Sequence, residues 1–179
     1  MSWAVGGPVA TFERIGVTEH SLLDMYGLRD DSRVLDIGCG AGRLARQLSR
    51  RPRLSYHGID VVPELLAYAR RKISRQDFKF DLVSGNTIPL PDASVDFVIL
   101  FSVFTHLLHE ESYVYLEQCR RVLVPGGRVV FSFFEFATPS HWSVFDGNVD
   151  WVRKRFMGHI NVFMHRDDIR LWRPLRNAG

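Results

Sequence analysis

Short apolar runs rich in β-branched residues alternate along the chain with segments whose apolar positions recur at helical spacing. Turn sequences such as LPD (90–92) and VPGG (124–127) separate the later elements. Strands that alternate with helices in this way build βαβ units, in which successive strands are parallel. The pattern therefore predicts an α/β fold with a doubly wound, mainly parallel sheet and helices on both faces. The predicted strands are residues 32–38, 54–60, 78–85, 94–102 and 127–136.

The segments that flank this core have a different residue pattern. Before the first strand, Thr18 is a suitable helix N-cap and Gly27 a suitable stop, which predicts a short leading helix between them. After the fifth strand, residues 137–159 mix aromatic and turn residues, which predicts an ordered loop or cap over the carboxyl ends of the strands. A final helix is predicted from the acidic pair Asp167 and Asp168. We expect a single domain with an N-terminal segment, a central core and a C-terminal cap, over residues 1–31, 32–136 and 137–179.

The composition limits the classes of protein to which the chain can belong. With 179 residues, 46% of them hydrophobic, the chain supplies one core. No uncharged apolar run approaches the roughly 20 residues of a membrane span, and the N-terminus lacks the pattern of a secretory signal. Two cysteines without CxxC spacing fit a reducing compartment, so we expect a cytoplasmic protein.

The charge distribution disfavours nucleic acid as a partner. The formal net charge is only +3, and the basic clusters at 50–53 and 70–75 fall where helices end, where cations complement the helix dipole. Arginine outnumbers lysine 20 to 3, a bias typical of GC-rich coding DNA, so we expect a bacterial source.

A glycine-rich turn follows the first predicted strand in VLDIGCGAGRLA (34–45). In open parallel sheets this turn forms the floor of the ligand site, and glycine lets the backbone approach a ligand closely. It does not match the dinucleotide fingerprint, because Arg43 stands where the third glycine would be, and no P-loop Gly-Lys-Ser/Thr follows. Asp36, just before the glycines, would repel a pyrophosphate but attract an ammonium or sulfonium group. The turn favours a cofactor without phosphate, with an ordinary tight turn as the alternative.

This stretch resembles motif I of the class I S-adenosylmethionine (SAM) dependent methyltransferases. The resemblance covers about residues 30–136, because SGNTIPLPDASVDFVILFSVFTHL (84–107) and YLEQCRRVLVPGGRVVFSFF (115–134) are similar to later family motifs in the same order. It implies a Rossmann-like sheet with strand order 3-2-1-4-5, and SAM as the cofactor. Family members normally add two more strands after the last helix, and only RPLRNAG follows DDIRLW here, so we expect the C-terminal strands to be missing.

The resemblance also implies which residues hold the cofactor. Asp60 ends the second strand, 24 positions after Asp36, where the family keeps an acid that accepts both ribose hydroxyls. In the adenine loop, Asn86 stands where many relatives have aspartate, and its oxygen still accepts from the adenine amine. Thr87 or Ile88 is expected to donate a backbone N–H to the ring, with an ordinary loop or core role as the alternative. The full predicted cofactor-binding set is Asp36, Gly38, Cys39, Gly40, Gly42, Asp60, Val61, Asn86, Thr87 and Ser102.

Methyl transfer from a sulfonium needs alignment, desolvation and, for a protonated acceptor, removal of one proton. His106, just after the fourth strand, is the candidate base, with a histidine packed at the rim of a helix as the equally weighted alternative. No metal site is expected, because HLLHE (106–110) matches neither zinc-binding helix motif. Polar residues considered as grips for the acceptor or the methionine carboxylate, each with an ordinary surface role as the alternative, are Arg14, Arg43, Glu135, His141, Asp146 and His159.

The class of acceptor is limited only by the motifs that the sequence lacks. After the fourth strand, LFSVFTH (100–106) has neither the Asn/Asp-Pro-Pro-Tyr signature of base-amine methylation nor a Pro-Cys nucleophile. We therefore expect a small-molecule, lipid or glycan acceptor. Two alternatives stay open: a SAM-binding or interaction module without turnover, and a nicotinamide-dependent oxidoreductase, which Asp36 and Arg43 disfavour.

The fifth predicted strand would lie at an uncovered sheet edge rich in phenylalanine. Such an edge presents unpaired backbone groups to a further strand. We expect residues 137–165, or a second copy of the chain in a homodimer, to cover it.

Overall fold

A computed structural model describes residues 9–155 and 161–172 of the chain. Its centre is a five-stranded sheet in which every neighbouring pair is parallel and the strand order is β3-β2-β1-β4-β5. The predicted fold class and strand order are confirmed. The strands are β1 Arg33–Ile37, β2 Ser55–Asp60, β3 Lys79–Leu82, β4 Val95–Leu100 and β5 Leu123–Phe131.

Helices cover both faces of this sheet. In the described residues they are α1 Val9–Met25, α2 Arg43–Leu48, α3 Pro63–Lys72, α4 His109–Val122, α5 Trp142–Arg153 and α6 Arg166–Leu171, with 3-10 turns at Phe104–His106 and Pro139–His141. One buried cluster joins α1, α2 and α3 to one face of the sheet, and a second joins α4 and α6 to the other. Because successive strand residues face opposite sides, Asp36 points with Val34 towards α1, α2 and α3. In the described part of the chain, no helix is long and apolar enough to cross a membrane.

The first helix is longer than the sequence predicted, and Thr18 is not its N-cap. α1 begins at Val9, and the Thr18 hydroxyl donates to the Arg14 carbonyl, 3.0 Å away, within the helix. Gly16 lies in the middle of this helix, against the backbone of α2. A Cβ there would be only 2.6 Å from the carbonyl oxygen of Arg43. The missing side chain therefore lets the two helices approach closely.

Glycines mark the end of α1 and an irregularity in β5. Gly27, the predicted stop, has φ +84° just after α1, as expected for a helix-ending glycine. VPGG, predicted as a turn before the fifth strand, instead lies inside β5, which runs from Leu123 to Phe131. The register with β4 shifts between Val95 and Phe97, so the extra residues of β5 form a bulge.

The segment after β5 contains a helix where the sequence predicted an ordered loop or cap. Phe145, Val149 and Val152 recur at helical spacing among the turn-forming residues of α5, and this spacing places them on one side of the helix. The chain then returns to the sheet, where a single parallel bridge joins Phe134 to Phe163 just past the end of β5. Part of residues 137–165 thus meets this end of the edge strand. The homodimer stays a prediction.

Candidate cofactor-binding site

A cavity of about 560 Å³ opens at the carboxyl ends of β1, β2 and β4, within the usual size range of small-molecule sites. Its walls come from the glycine turn after β1, the end of β2 and the segment after β4. The predicted residues that line it are Gly38, Cys39, Gly40, Arg43, Asp60, Val61, Ser102 and His106. The structure places Asp36, Gly42, Asn86 and Thr87 outside this lining.

The turn after β1 presents bare backbone to the cavity. Gly38, Gly40 and Gly42 have φ values of +70°, +54° and +81°. A Cβ on Gly38 would lie 2.6 Å from Cγ2 of Val103, a residue that also lines the cavity. A Cβ on Gly42 would lie 3.1 Å from Cβ of Ala69 in α3. The first glycine therefore shapes the cavity, whereas the third allows α2 and α3 to pack closely.

Asp60 places a buried carboxylate at the cavity. It ends β2 and is only 8% exposed. Its Oδ2 accepts a hydrogen bond of 2.7 Å from the Gly40 N–H, and its Oδ1 accepts one of 2.9 Å from the Val62 N–H. Because each carboxylate oxygen has two lone pairs, acceptor capacity remains on both oxygens. Two neighbouring hydroxyls, as in a ribose, match this arrangement.

Asp36 lies behind the glycine turn. Its carboxylate is 4% exposed and accepts a hydrogen bond of 2.6 Å from the Tyr56 hydroxyl of β2. Burial raises the pKa of Asp36 to about 7, and the hydrogen bond from Tyr56 opposes that rise. The sequence predicted a carboxylate that faces a cationic ligand, whereas the structure directs it towards β2 beneath the turn.

Arg43 lines the cavity but is paired with another helix. Its Nη2 lies 2.6 Å from Oε1 of Glu19 in α1, and its Nε donates to Oε2 at 3.1 Å. This bidentate ion pair joins α2 to α1 at the edge of the cavity. Arg14, the other predicted clamp for the methionine carboxylate, is exposed on α1 and does not line the cavity.

The predicted adenine loop is held by α4. Asn86 is half-buried and Thr87 is exposed. Ile88 is buried, and its backbone N–H already donates to a glutamine side chain of α4 at 3.4 Å. Tyr115 of α4 donates its hydroxyl to the Gly85 carbonyl at 3.1 Å and also lines the cavity. Of the two predicted backbone donors to adenine, Ile88 is therefore engaged within the protein.

Three aromatic side chains of the cavity, those of Tyr115, Phe12 and Phe101, were missed by the sequence analysis. Tyr115 reaches it from α4 and Phe12 from α1. The available signal for Tyr115 was its place on the buried stripe of an amphipathic helix, which does not distinguish core from cavity. Phe12 gave no signal, because the leading helix was predicted to begin only at Thr18.

The segment after β4 places Ser102 and His106 at the cavity. Ser102 has φ +61°, uncommon outside glycine, and its N–H donates to the Ser132 hydroxyl at 2.8 Å. The chain continues from this bend into the Phe104–His106 turn, where His106 is exposed. An exposed imidazole in a cavity wall is compatible with the predicted role as a base.

The other candidate polar residues lie in the cap. Glu135 is buried in an ion pair with Arg166, whose hydrogen bonds lower the pKa of Glu135 to about 2. The Glu135 N–H donates to Nδ1 of His141 at 3.0 Å, so both residues hold the cap together. Asp146 is exposed on α5, and His159 lies outside the described residues. Within residues 9–155 and 161–172, no three His, Cys, Asp or Glu side chains are grouped so that they could hold a metal ion.

The all-parallel sheet and the cavity at its glycine turn define a Rossmann-like domain with a cofactor cleft. The family described as a methyltransferase domain matches residues 35–131, from β1 to the end of β5. The chain therefore belongs to the class I SAM-dependent methyltransferase family.

Individual relatives agree with this membership. The chain is 35% identical over 111 residues to the demethylmenaquinone methyltransferase of Deinococcus radiodurans, which covers 60% of this chain and 44% of that protein. It is 30% identical over 117 residues to the 27-O-demethylrifamycin SV methyltransferase of Amycolatopsis mediterranei. This match covers 63% of this chain and 42% of that protein. A SAM-dependent methyltransferase structure from Aquifex aeolicus matches with a TM-score of 0.60 and 28% identity over 68% of each chain. The chain spans about half the length of the curated relatives it matches.

Proposed function

We propose that this chain binds SAM in the cavity and transfers its methyl group to a small-molecule acceptor. The observation that carries the proposal is the buried Asp60 carboxylate, which keeps acceptor capacity beside the bare backbone of Gly38 and Gly40. The ribose hydroxyls would donate to Asp60, and the methionine part would lie against the glycine turn, where a Cβ on Gly38 would collide with Val103 of the cavity wall. The cavity volume of about 560 Å³ is suitable for a nucleoside joined to an amino acid.

We assign supporting roles to three further predicted residues. Val61 lines the cavity and would cover one face of the adenine. Asn86 would accept a hydrogen bond from the adenine amine, on a loop that Tyr115 holds through the Gly85 carbonyl. Asp36 would act indirectly, because its hydrogen bond with Tyr56 joins β1 to β2 beneath the glycine turn.

The reaction requires the protein mainly to align the two reactants and to exclude water. When bound, SAM would supply a methyl group on a positively charged sulfur, and this sulfur would keep the electron pair of the broken carbon–sulfur bond once the acceptor atom bonds to the methyl carbon. The glycine turn orients the donor, and Phe12 and Tyr115 exclude water from the cavity. His106 would take the proton that a hydroxyl acceptor loses.

Two observations support a small-molecule acceptor. The sequence after β4 lacks the signatures of base-amine and cytosine methylation. The two relatives described above are named for acceptors, demethylmenaquinone and 27-O-demethylrifamycin SV, that are small organic molecules.

Calorimetric titration with SAM and with S-adenosylhomocysteine tests the cofactor. We expect Asp60→Asn to lower the affinity for both by about tenfold or more, because a hydrogen bond to a charged group contributes about 1.5–3 kcal/mol. Asp31→Asn, at an exposed aspartate outside the cavity, is the matched control and should leave the affinity unchanged. Thermal unfolding of both variants separates lost binding from lost stability.

Methyl transfer is tested with labelled SAM and a panel of phenols, quinols and glycosides. Methylation of any of them supports the proposal. Binding of SAM without methylation of any acceptor would favour the module without turnover. Tight binding of NADH in place of SAM would contradict the proposal and revive the oxidoreductase.

A further inference from the structure

A second cavity, here called the aromatic cavity, lies between α5 and the returning chain at residues 161–163. It has a volume of about 490 Å³ and is open on one side. The rings of Phe136, Phe145 and Phe163 form much of its wall, and Val149 and Val152 of α5 add aliphatic surface. Among residues 9–155 and 161–172, this cavity shares no lining residue with the cofactor cavity.

The three rings pack against one another and against two further rings, those of Phe134, stacked on Phe163, and Trp142, tilted against Phe136. Phe136 and Phe163 are stacked, with centroids 4.6 Å apart and planes 19° from parallel. Phe145 stands edge-on to both, at 5.1 Å from Phe136 and 5.8 Å from Phe163. Both geometries are those in which aromatic rings attract one another. A further ring would pack against the apolar side chains that line the cavity.

The polar groups of the aromatic cavity are already satisfied by one another. Asn148, buried in α5, donates from Nδ2 to the Asn161 carbonyl at 2.7 Å and accepts from the Asn161 N–H at 3.0 Å. Among the lining residues, Arg153 carries a charge, and its Nη1 lies 3.5 Å from Oδ1 of Asp150. The wall therefore suits an uncharged ligand, since a charged one would meet few complementary groups.

A backbone hydrogen bond lies between the aromatic cavity and the cofactor cavity. The Val162 N–H donates to the Thr105 carbonyl at 2.9 Å. His106, the next residue after Thr105, lines the cofactor cavity, and Phe163, the next residue after Val162, lines the aromatic cavity. The candidate base thus lies beside the wall that separates the two spaces.

We propose that the aromatic cavity binds a planar, uncharged aromatic ring system of the acceptor. The ring would lie among Phe136, Phe145 and Phe163, on the side of the Val162–Thr105 connection away from the cofactor. That the bound ring belongs to a methyl acceptor rests on the proposed function; that the cavity binds flat aromatic molecules does not.

Calorimetric titration of the whole chain with 2-naphthol tests this inference, with decahydro-2-naphthol as the saturated, non-planar comparison. We expect 2-naphthol to bind more tightly than decahydro-2-naphthol. Val149→Trp fills the cavity and should weaken 2-naphthol binding by about tenfold or more. Val114→Trp makes the same substitution at an exposed valine of α4 outside the cavity and should have no effect.

A second variant keeps the test decisive if Val149→Trp does not fold. Phe163→Leu retains an apolar side chain but removes one aromatic ring from the wall, and should weaken 2-naphthol binding by about threefold to tenfold. Equal affinity for 2-naphthol and its saturated analogue, or unchanged affinity in a folded Val149→Trp variant, would overturn the inference. S-adenosylhomocysteine affinity, measured on the same variants, should not change. If SAM fails to bind while 2-naphthol binds, the proposed function fails and the aromatic site stands.

Discussion

At the scale of single residues, backbone conformation and burial decide the shape and charge of the cofactor cavity. Gly38 and Gly126 both have a left-handed φ, +70° and +80°. Only a Cβ on Gly38 would meet another side chain, because nothing lies within 4 Å of the corresponding position on Gly126. The two glycines therefore separate the cost of backbone strain from the cost of a collision with Val103 in the cavity wall.

We predict that Gly38→Ala and Gly126→Ala each lose about 1–2 kcal/mol of unfolding free energy from left-handed strain. Gly38→Ala should also lower SAM affinity by about tenfold or more, equivalent to about 1.4 kcal/mol, because the new methyl group would displace Val103, which lines the cavity. Urea unfolding and calorimetry measure the two effects. Equal SAM affinity in both variants would show that Gly38 does not face the cofactor.

The buried Asp36 carboxyl predicts a dependence of stability on pH. Its pKa rises from 3.8 in the unfolded chain to about 7 in the folded protein. The contribution of this group is therefore fully present below pH 3.8 and is lost as the pH rises through about 7, by about 1.4 kcal/mol per pKa unit. Asp36→Asn keeps an acceptor for Tyr56 and removes this loss.

Unfolding free energies at pH 4.5, 6 and 7.5 check the prediction. Wild-type stability should fall relative to Asp36→Asn across this range, whereas Asp31→Asn, at an exposed site, should follow the wild type. A constant difference between wild type and Asp36→Asn at all three pH values would contradict the assigned shift.

At the scale of elements, the crossing of α1 and α2 connects stability to the cofactor cavity. Gly16 of α1 lies against the backbone of α2, and Phe12, one turn earlier, lines the cavity. The ion pair between Arg43 and Glu19 joins the same two helices. Any separation of these helices would therefore move Phe12 and Arg43, two residues of the cavity wall.

We predict that Gly16→Ala lowers the unfolding free energy by about 1–3 kcal/mol, the usual range for overpacking, and weakens SAM binding. The gain in helix propensity does not offset this, because the new Cβ would lie 2.6 Å from a backbone oxygen that cannot rotate away. Gly147→Ala in α5, where nothing lies within 4 Å, is the control and should gain about 0.5–1 kcal/mol. Stabilisation by both substitutions would mean that α1 packs less closely than described.

At the scale of the whole molecule, the position of each strand in the sheet sets its resistance to opening. β1, β2 and β4 have a neighbour on both sides, whereas β3 and β5 are the outer strands of the described sheet. We predict that amides of these three inner strands exchange most slowly with solvent and those of the four-residue β3 fastest among the strands. Hydrogen exchange read by mass spectrometry tests this order. Protection of β5 that rises with protein concentration would support the predicted homodimer, and a monomer with rapidly exchanging β5 amides would exclude it.

Much of the fold was predictable because its signals are local. The alternation of apolar runs with helical segments predicted the parallel sheet, and the family motifs predicted its order. The errors arose where a local signal was ambiguous. Thr18 has a side chain typical of an N-cap, but its hydroxyl donates to a carbonyl inside α1. The helical pattern of α5 was obscured by the turn-forming residues among its apolar positions.

The sequence by itself determined the sheet, the glycine turn and the carboxylate at the end of β2, since spacing and residue type act over a few positions of the chain. Only the tertiary structure decided that Asp36 faces Tyr56, that Arg43 pairs with Glu19, and that the cofactor cavity includes side chains from α1 and α4. It also decided that three phenylalanines from separate segments enclose a second cavity. These features depend on contacts between residues distant in the chain, and no local pattern records which face of one element will meet another.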